Sequence, residues 1–225
     1  MVDVLFVEAI LYQTLKLIPA ILFASLGELV AEKSGVLNLG VEGLMLLSAF
    51  TAFDVTSVTG NPWLGILAAI LVSVAFGMVF SVFAVNLRVN QVVIGLGLWL
   101  FGLGLSDTLY RAFFAVGTTP TVAIIGDLNI PYLTSIPVIG RIFFDQNPLV
   151  YISLLLVPVV AVFLSKTNLG MKIIAVGEHP RAAETMGVDV YKIRWLAVLI
   201  GAAFAGVSGA YFTISLLSTF ILNIT

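Results

Sequence analysis

Apolar residues follow one another along most of the chain, in stretches far longer than a buried strand requires. Asp, Glu, Lys and Arg are absent from positions 55–87, 89–106, 146–165 and 195–225. A helix needs about 20 mainly apolar residues to cross a bilayer. This criterion predicts six spanning segments, roughly at 11–31, 36–57, 63–86, 92–113, 148–165 and 195–218. The second of them is the least regular.

Composition supports a membrane protein. Hydrophobic residues make up 60% of the 225 positions and charged residues only 10%, whereas a soluble chain has about 25% charged residues. Backbone groups inside lipid must bond to one another, so the spans are predicted to be helices. Outer-membrane barrels alternate apolar and polar residues in short segments, which this chain does not do. The predicted fold is all-α, a polytopic bundle of about six transmembrane helices, with a re-entrant or broken second segment as the alternative at 36–57.

Charge and residue types exclude several classes of function. Ten Lys and Arg against twelve Asp and Glu leave no basic surface, so no nucleic acid is expected as a partner. The chain has no cysteine and one histidine, which excludes disulfides, thiol nucleophiles and histidine clusters. A water-soluble enzyme and a disordered chain are excluded by the long apolar stretches. The lipid bilayer is therefore the first partner that the sequence indicates.

The positive charges predict how the chain is oriented. If all six segments cross, seven Lys and Arg residues share one side, and these are Lys33, Arg88, Lys166, Lys172, Arg181, Lys192 and Arg194. The other side holds Lys16, Arg111 and Arg141. Cytoplasmic loops carry the excess of positive charge, so the first group is predicted to be cytoplasmic and the N-terminus external. Even if segment 36–57 enters the membrane and returns to the same side, the 166–194 loop is predicted to be cytoplasmic because of its own Lys and Arg residues.

Two further regions lie outside the regular spans. The connection at 114–147 contains Pro120, Pro131 and Pro137 and several glycines, and Pro148 follows it directly, which predicts either an external lid or re-entrant segment or an ordinary extracellular loop. The last 31 residues carry no charge and no polar tail follows them, so we expect residues 1–225 to be a single transmembrane domain that lacks a C-terminal part.

The loop at 166–194 is the main hydrophilic region, since eight of its 29 residues are charged. Proline is common just inside the start of a helix and glycine just past its end, so Pro180 and Gly187 predict a short helix from Pro180 to Met186. Ala182, Ala183 and Met186 would then form a small apolar stripe. Asp189 is predicted to cap the helix that follows. The loop is either an ordinary positive-inside loop or a docking helix for a cytoplasmic partner.

A second segment places polar groups in apolar sequence. Asn38 and Glu42 are four residues apart and would share one face of a helix, while Gly40 and Gly43 permit a break or a close approach. A carboxylate inside a bilayer is costly and normally faces protein or water. These four residues are therefore candidates for the lining of a pathway. The alternative is a structural network in which Asn38 and Glu42 bond to neighbouring helix ends.

Several remaining patterns predict packing. Two rows of small residues run along the last span, namely Gly201, Ala205 and Gly209 beside Ala202, Gly206 and Ala210. The glycines around Trp99 are also interpreted as packing positions, since no strand precedes them as a nucleotide fingerprint would require. These are Gly95, Gly97, Gly102 and Gly104. Asp107 and Arg111 are four apart and are predicted to form an ion pair.

Two motifs together resemble those of a known family. They are GELVAEKSGVLNLGVEGLM from Gly27 to Met45 and TNLGMKIIAVGEHPRAAETMGV from Thr167 to Val188. They resemble the ABC importer permeases of the nucleoside and simple-sugar branch, related to ribose-type and branched-chain amino acid permeases. Members of that family commonly have arginine where Ile174 stands and continue through several spans beyond Thr225.

The resemblance implies a permease subunit with four kinds of partner. These are a second homologous permease, a cytoplasmic ABC ATPase that binds ATP and Mg²⁺, an extracytoplasmic substrate-binding lipoprotein, and the bilayer. It also implies that the 166–194 loop carries a coupling helix. The positions that carry over are Gly177, Glu178, His179, Pro180, Arg181, Ala182, Ala183, Glu184, Met186 and Gly187.

The expected cargo is a nucleoside or simple sugar, and no cofactor is expected on this chain. No glycine-rich loop ending in Lys-Ser or Lys-Thr occurs, so ATP hydrolysis would fall to a separate subunit. The alternative function is an ATPase-independent secondary transporter or channel. An intramembrane enzyme is disfavoured because the single histidine, His179, lies in the charged loop.

Overall fold

Long helices account for most of this computed structural model, which describes residues 2–114, 121–129 and 139–221. Six of them are long and apolar enough to cross a membrane. They are α1 (Val2–Lys33), α2 (Val41–Thr59), α3 (Pro62–Ser81), α4 (Gln91–Phe114), α6 (Pro148–Lys166) and α9 (Val190–Tyr211). One π-helical segment extends α3 over Val82–Asn86, and another extends α9 over Phe212–Leu217. The prediction of an all-α polytopic membrane fold is confirmed.

Short elements complete the described chain. They are α5 (Ile139–Phe144), α7 (Asn168–Glu178), α8 (Pro180–Thr185) and the two-residue strands β1 (Leu128–Asn129) and β2 (Asp145–Gln146). The two strands pair antiparallel, with Leu128 opposite Gln146. This pair fastens the two described parts of the 114–147 connection to each other.

Most helix boundaries agree with the sequence, and the exceptions have simple causes. Asn61 and Asn147 accept hydrogen bonds from the N–H groups two residues later, so α3 and α6 begin at the following prolines. The first helix begins at Val2, whereas the predicted span began at residue 11. Hydropathy marks only the part of a helix that suits lipid, while the backbone hydrogen bonds continue beyond it.

The second span begins later than predicted. Helix α1 ends at Lys33, and Gly35 follows with φ +81°. The Gly35 N–H donates to the Glu32 carbonyl at 2.9 Å and the Val36 N–H to the Ala31 carbonyl at 3.3 Å. This paired arrangement is a Schellman turn, which ends a helix in a left-handed residue. The chain then runs without helix until α2 starts at Val41, so the break that the glycines permitted is present.

Helix α9 lies at the centre of the bundle, and its small residues bring three other helices close to it. A Cβ on Gly201 would lie 3.0 Å from the Gly27 carbonyl oxygen of α1. Gly209 lies directly against the Met45 carbonyl of α2, and a Cβ on Gly206 would lie 2.9 Å from a backbone carbon of α3. The predicted role of the two small-residue rows in close packing is confirmed.

Helix α4 packs at the side of the bundle, where it crosses α2 at glycines. A Cβ on Gly102 would lie 2.5 Å from the Gly43 carbonyl oxygen, and one on Gly95 would lie 3.0 Å from the Gly40 nitrogen. A Cβ on Gly97 or Gly104 would meet no atom of another element within 4 Å among the described residues. The packing prediction for the four glycines of α4 is therefore confirmed for Gly95 and Gly102 only.

The 121–129 segment covers the end of the bundle that lies away from the 166–194 loop. The Val122 N–H donates to the Ser218 carbonyl at 2.9 Å, and the Ile125 N–H to the Ile214 carbonyl at 3.0 Å. Lys16 forms an ion pair with Asp127 at 2.6 Å. The external lid and the ordinary loop both stay predictions for the 114–147 connection, of which residues 115–120 and 130–138 lie outside the described residues.

The predicted pair near the end of α4 is also present, with Arg111 Nε 2.7 Å from Asp107 Oδ1. Both partners belong to α4, one helical turn apart. The pair therefore stabilises α4 locally and does not connect it to another helix.

Candidate functional site

The charged 166–194 loop is built from two short helices. Thr167 Oγ1 accepts the Gly170 N–H at 3.0 Å and so begins α7. Ile173 and Val176 are buried against α1 and α9. Helix α7 was not predicted from the sequence. Its apolar residues three apart and the preceding threonine are the signals that could have found it.

Helix α8 follows the prediction closely. It starts at Pro180 and ends at Thr185, one residue before the predicted end, and Met186 is its C-terminal cap. Gly187 has φ +80°, its N–H donates to the Glu184 carbonyl at 2.9 Å, and the Val188 N–H donates to the Ala183 carbonyl at 3.0 Å. This is again a Schellman turn, so the predicted position of glycine just past the helix is confirmed.

Asp189 caps α9 as predicted, since its Oδ1 accepts the Lys192 N–H at 3.0 Å. That backbone hydrogen bond, together with the Lys192 side chain, lowers the pKa of the Asp189 carboxyl from its ordinary value of 3.8. The Lys192 ammonium lies 3.0 Å from Asp189 Oδ2. Both groups lie at the surface and fix the start of the helix that follows the loop.

The predicted apolar stripe on α8 is divided between two faces, which corrects the sequence interpretation. Ala183 is 6% exposed and packs with Val176 and Val188, because the Schellman turn folds Val188 back onto it. Ala182 is exposed, and Met186 is 83% exposed. The other exposed positions of the predicted coupling set are Glu178, His179, Arg181, Glu184 and Gly187.

Gly177 faces the interior of the protein. Its Cα approaches the turn that ends α1, and a Cβ would collide with the Lys33 carbonyl oxygen and come 3.1 Å from the Gly35 nitrogen. Arg194 of α9 reaches the same turn, where its Nε donates to the Ser34 carbonyl at 3.2 Å. The end of α1, the loop helix α7 and the start of α9 therefore meet at one joint.

Beyond this joint, segment 34–40 runs into the bundle without helical hydrogen bonds of its own. Gln91 Oε1 accepts the Leu37 N–H at 2.9 Å, and Glu28 Oε1 accepts the Asn38 N–H at 2.7 Å. Asn38 Oδ1 accepts the Gly40 N–H at 3.0 Å. Non-helical backbone at membrane depth must be satisfied by the protein, and here side chains do this.

Neighbouring helices give the depth at which α2 begins. Arg194 lies beside Ser34, and Gly209, fifteen residues further along α9, lies beside Met45. At 1.5 Å per residue Met45 is about 22 Å from the joint. On α4, Gly102 lies beside Gly43. Gly102 is eleven residues beyond Gln91, so Gly43 is about 16 Å from the level of Gln91. Gly40, just before α2, lies beside Gly95, which is four residues or about 6 Å beyond Gln91, so α2 starts inside the roughly 30 Å hydrocarbon core but short of its middle.

The four pathway candidates do not share one role. Asn38 is 4% exposed and holds the broken segment together, and it is not helical, so the expected common face with Glu42 is wrong. Gly40 and Gly43 are buried against α4. Glu42 is exposed in the first turn of α2, with no hydrogen bond or ion pair to any residue that the structure describes. The structural network thus includes Asn38 but not Glu42.

A family comparison agrees with this architecture. The model described as branched-chain amino acid transport system / permease component matches residues 10–223. The chain belongs to this permease family. Together with the six apolar helices, this makes it a multi-pass protein of the prokaryotic plasma membrane. No solved structure matches the chain.

Similar proteins include several named ABC permeases. The chain is 43% identical over 93% of its length to TsgC13 of Haloferax volcanii, whose name assigns it provisionally to a glucose ABC transporter. It is 37% identical over 85% of its length to the nucleoside permease NupC of Lactococcus lactis. It is 34% identical, also over 85%, to the guanosine permease NupQ of Bacillus subtilis. The chain spans 63–64% of the length of these relatives, a little less than two thirds.

Proposed function

We propose that the chain is the permease subunit of an ATP-driven ABC importer and that it forms part of the pathway for a small polar solute, a nucleoside or a simple sugar. The names of the similar permeases, which refer to glucose, nucleosides and guanosine, support this cargo class. ATP and Mg²⁺ would be held by a separate cytoplasmic ABC ATPase. A second homologous permease would complete the pathway, and an extracytoplasmic lipoprotein would deliver the solute.

The observation that carries this proposal is the joint between Gly177 and the turn after Lys33. Direct backbone packing leaves no side chain between them that could absorb a small movement. A displacement of the loop helices therefore moves the end of α1 and, through segment 34–40, the start of α2. ATP-driven closure of the partner ATPase would in this way change the opening of the bundle.

The docking surface for the ATPase would be the exposed side of α8. Ala182 and Met186 offer a small apolar patch, and Arg181 and Glu184 offer charges beside it. This is the pattern of a helix that fits a hydrophobic groove on a partner. The excess of Lys and Arg in this loop supports its cytoplasmic side.

The pathway would pass the first turn of α2. A carboxylate near the middle of a bilayer costs about 2.5–3.5 kcal/mol on insertion scales, so such groups face water or protein. Glu42 is exposed in the first turn of α2, inside the membrane-spanning bundle, whereas Asn38, Gly40 and Gly43 are buried. Of the four candidates, Glu42 is therefore the one proposed to face the solute.

The test compares the same substitution at two exposed alanines, Ala182 on α8 and Ala123 at the opposite end of the bundle. The permease is co-expressed with its partner subunits and reconstituted in proteoliposomes. Ala182→Trp should remove ATP-driven uptake and reduce co-purification of the ATPase, because the bulky ring cannot enter a groove shaped for alanine. Ala123→Trp should leave ATPase co-purification unchanged.

Two outcomes would contradict the proposal. Uptake that proceeds without any ATPase would favour a secondary transporter or channel. Equal ATPase co-purification for the two tryptophan variants would remove α8 as the docking helix. Reading frames next to this one should encode an ABC ATPase and a lipoprotein, and thermal shifts of that lipoprotein with nucleosides and pentoses would identify the cargo.

A further inference from the structure

Three arginines that are far apart in the sequence line one cavity at the end of the bundle that carries the 166–194 loop. Arg88 lies in the turn between α3 and α4, Arg181 in α8 and Arg194 in α9. The cavity has a volume of about 290 Å³ and is also lined by Glu184 and Tyr191. Three guanidinium groups and one carboxylate give it a formal charge of +2.

These arginines keep unused hydrogen-bond donors. None of them lies within 4.0 Å of a carboxylate in the part of the chain that the structure describes. Arg88 donates to the Tyr191 hydroxyl and lies 5.7 Å from the centre of its ring, and Arg194 uses its Nε for the Ser34 carbonyl. A guanidinium carries five N–H donors, so most of them are available to an anion.

A second cavity continues from the first along the membrane-spanning part of α9. Its volume is about 610 Å³, and its walls are formed by Tyr191, Trp195, Leu196 and Leu199 and, at one end, by Asn86 and the ion pair of Asp189 with Lys192. Tyr191 lines both cavities. Trp195 Nε1 donates to Asn86 Oδ1 at 2.7 Å, so its indole has a polar partner, as aromatic residues do at a membrane interface.

We infer that these two cavities together bind one anionic phospholipid, with its phosphate among Arg88, Arg181 and Arg194 and an acyl chain along Trp195, Leu196 and Leu199. Guanidinium groups suit phosphate oxygens because they can donate two parallel hydrogen bonds. Basic pockets between spanning helices are recognised sites for anionic headgroups. An acidic peptide of a soluble partner would match the arginines but not an apolar groove inside the span.

The consequence for the protein is mechanical. The headgroup would connect the turn between α3 and α4 to α8 and α9, three elements that approach one another around the cavity. It would therefore hold α8 in position even when no ATPase is bound. This inference concerns a lipid and does not depend on the identity of the cargo.

The test uses the purified protein in nanodiscs of phosphatidylcholine with or without phosphatidylglycerol. The double variant Arg88→Gln and Arg181→Gln removes two charges, whereas Arg194 is kept because it supports Ser34. Arg111→Gln is the matched control, since that arginine is at the opposite end of the bundle and pairs with Asp107. Phosphatidylglycerol should bind the native protein and raise its thermal midpoint, and each lost charge should weaken binding about fivefold.

Three results would overturn the inference. Equal thermal midpoints with and without phosphatidylglycerol would show that no anionic lipid binds specifically. If inorganic phosphate raised the thermal midpoint as much as the lipid does, the cavity would bind an anion but no acyl chain. Loss of ATPase co-purification in the double variant, with lipid binding unchanged, would assign the arginines to an acidic partner. The midpoint in pure phosphatidylcholine shows whether the variant still folds.

Discussion

The backbone of Gly177 lies directly against the carbonyl group of Lys33, so that no side chain fits between α7 and the end of α1. This contact joins residues 144 positions apart in the sequence. The resemblance to known permeases placed Gly177 in a surface for a partner, but its position gives it an internal role. A glycine is needed here because the two backbones meet, and any Cβ would push them apart.

Replacement of Gly177 by alanine should destabilise the protein. Overpacking of a close contact costs about 1–3 kcal/mol, and this outweighs the roughly 1 kcal/mol that alanine gains over glycine within a helix. Gly104→Ala is the matched control, because Gly104 is also helical and has open space around it. The thermal midpoint in detergent should fall for Gly177→Ala and stay level or rise for Gly104→Ala. A similar thermal midpoint for both variants would show that Gly177 is not tightly packed against the end of α1.

Local patterns predicted the local structure well. Pro180 and Gly187 gave the limits of α8 to within one residue, and Asp189 caps α9 as expected. These features depend on chemistry within one turn of helix. The inward position of Ala183 could not be found in the same way, because it depends on Val188 folding back and on α7 lying beside it.

Glu28 should stabilise the protein through its acceptor oxygen and not through its negative charge. Its Oε1 accepts the Asn38 N–H inside the bundle, so Glu28→Gln keeps an acceptor while Glu28→Leu leaves that N–H unbonded. An unsatisfied buried donor costs about 1–3 kcal/mol. Glu32→Leu makes the same change at an exposed position. Thermal midpoints should fall in Glu28→Leu only, and an equal fall in Glu28→Gln would mean that the charge itself is required.

The depth of α2 is the main feature that hydropathy missed. Apolar character continues from Val36 onward, so the predicted span began there, whereas the helix begins at Val41, inside the bundle. Only a neighbour reveals this depth, namely Gly95 on α4, which lies beside Gly40 just before α2. The glycines in the sequence predict a possible break in this segment, but they do not give its distance from the membrane surface.

Water should reach position 42 although it lies deep in the bundle. The chain contains no cysteine, so a single introduced thiol can be labelled without background. Charged thiosulfonates react with the thiolate, which forms in water and not in lipid. Glu42→Cys should react on the order of tenfold faster than Leu100→Cys, since Leu100 is 60% exposed on the apolar surface of α4 at a similar depth. Equal and slow labelling would place Glu42 against protein and end its assignment to the pathway.

The ion pair between Lys16 and Asp127 should hold the 121–129 segment over its end of the bundle. Both side chains are partly exposed, at 21% and 31%, so the pair is expected to contribute about 0.2–1 kcal/mol. Asp127→Asn should make protease cleavage within this segment up to about fivefold faster. Asp107→Asn also breaks an ion pair, but one that lies within α4, and it should leave cleavage unchanged. Similar rates for both variants would show that the segment is held by its backbone hydrogen bonds alone.

The cap of α9 should give the protein a defined response to acid. Because the Lys192 N–H bonds to the ionised carboxylate, the pKa of Asp189 is lower in the folded than in the unfolded protein. The stabilisation from this shift is complete above the ordinary value of 3.8 and is lost as the pH falls through the lower folded value. Asp189→Asn keeps an uncharged cap, and all other carboxyl groups are the same in the variant and the native protein. The native protein should therefore have the higher thermal midpoint at pH 6, and this difference should shrink below about pH 4. A difference that stays constant between these pH values would mean that the charge of Asp189 adds nothing to the cap.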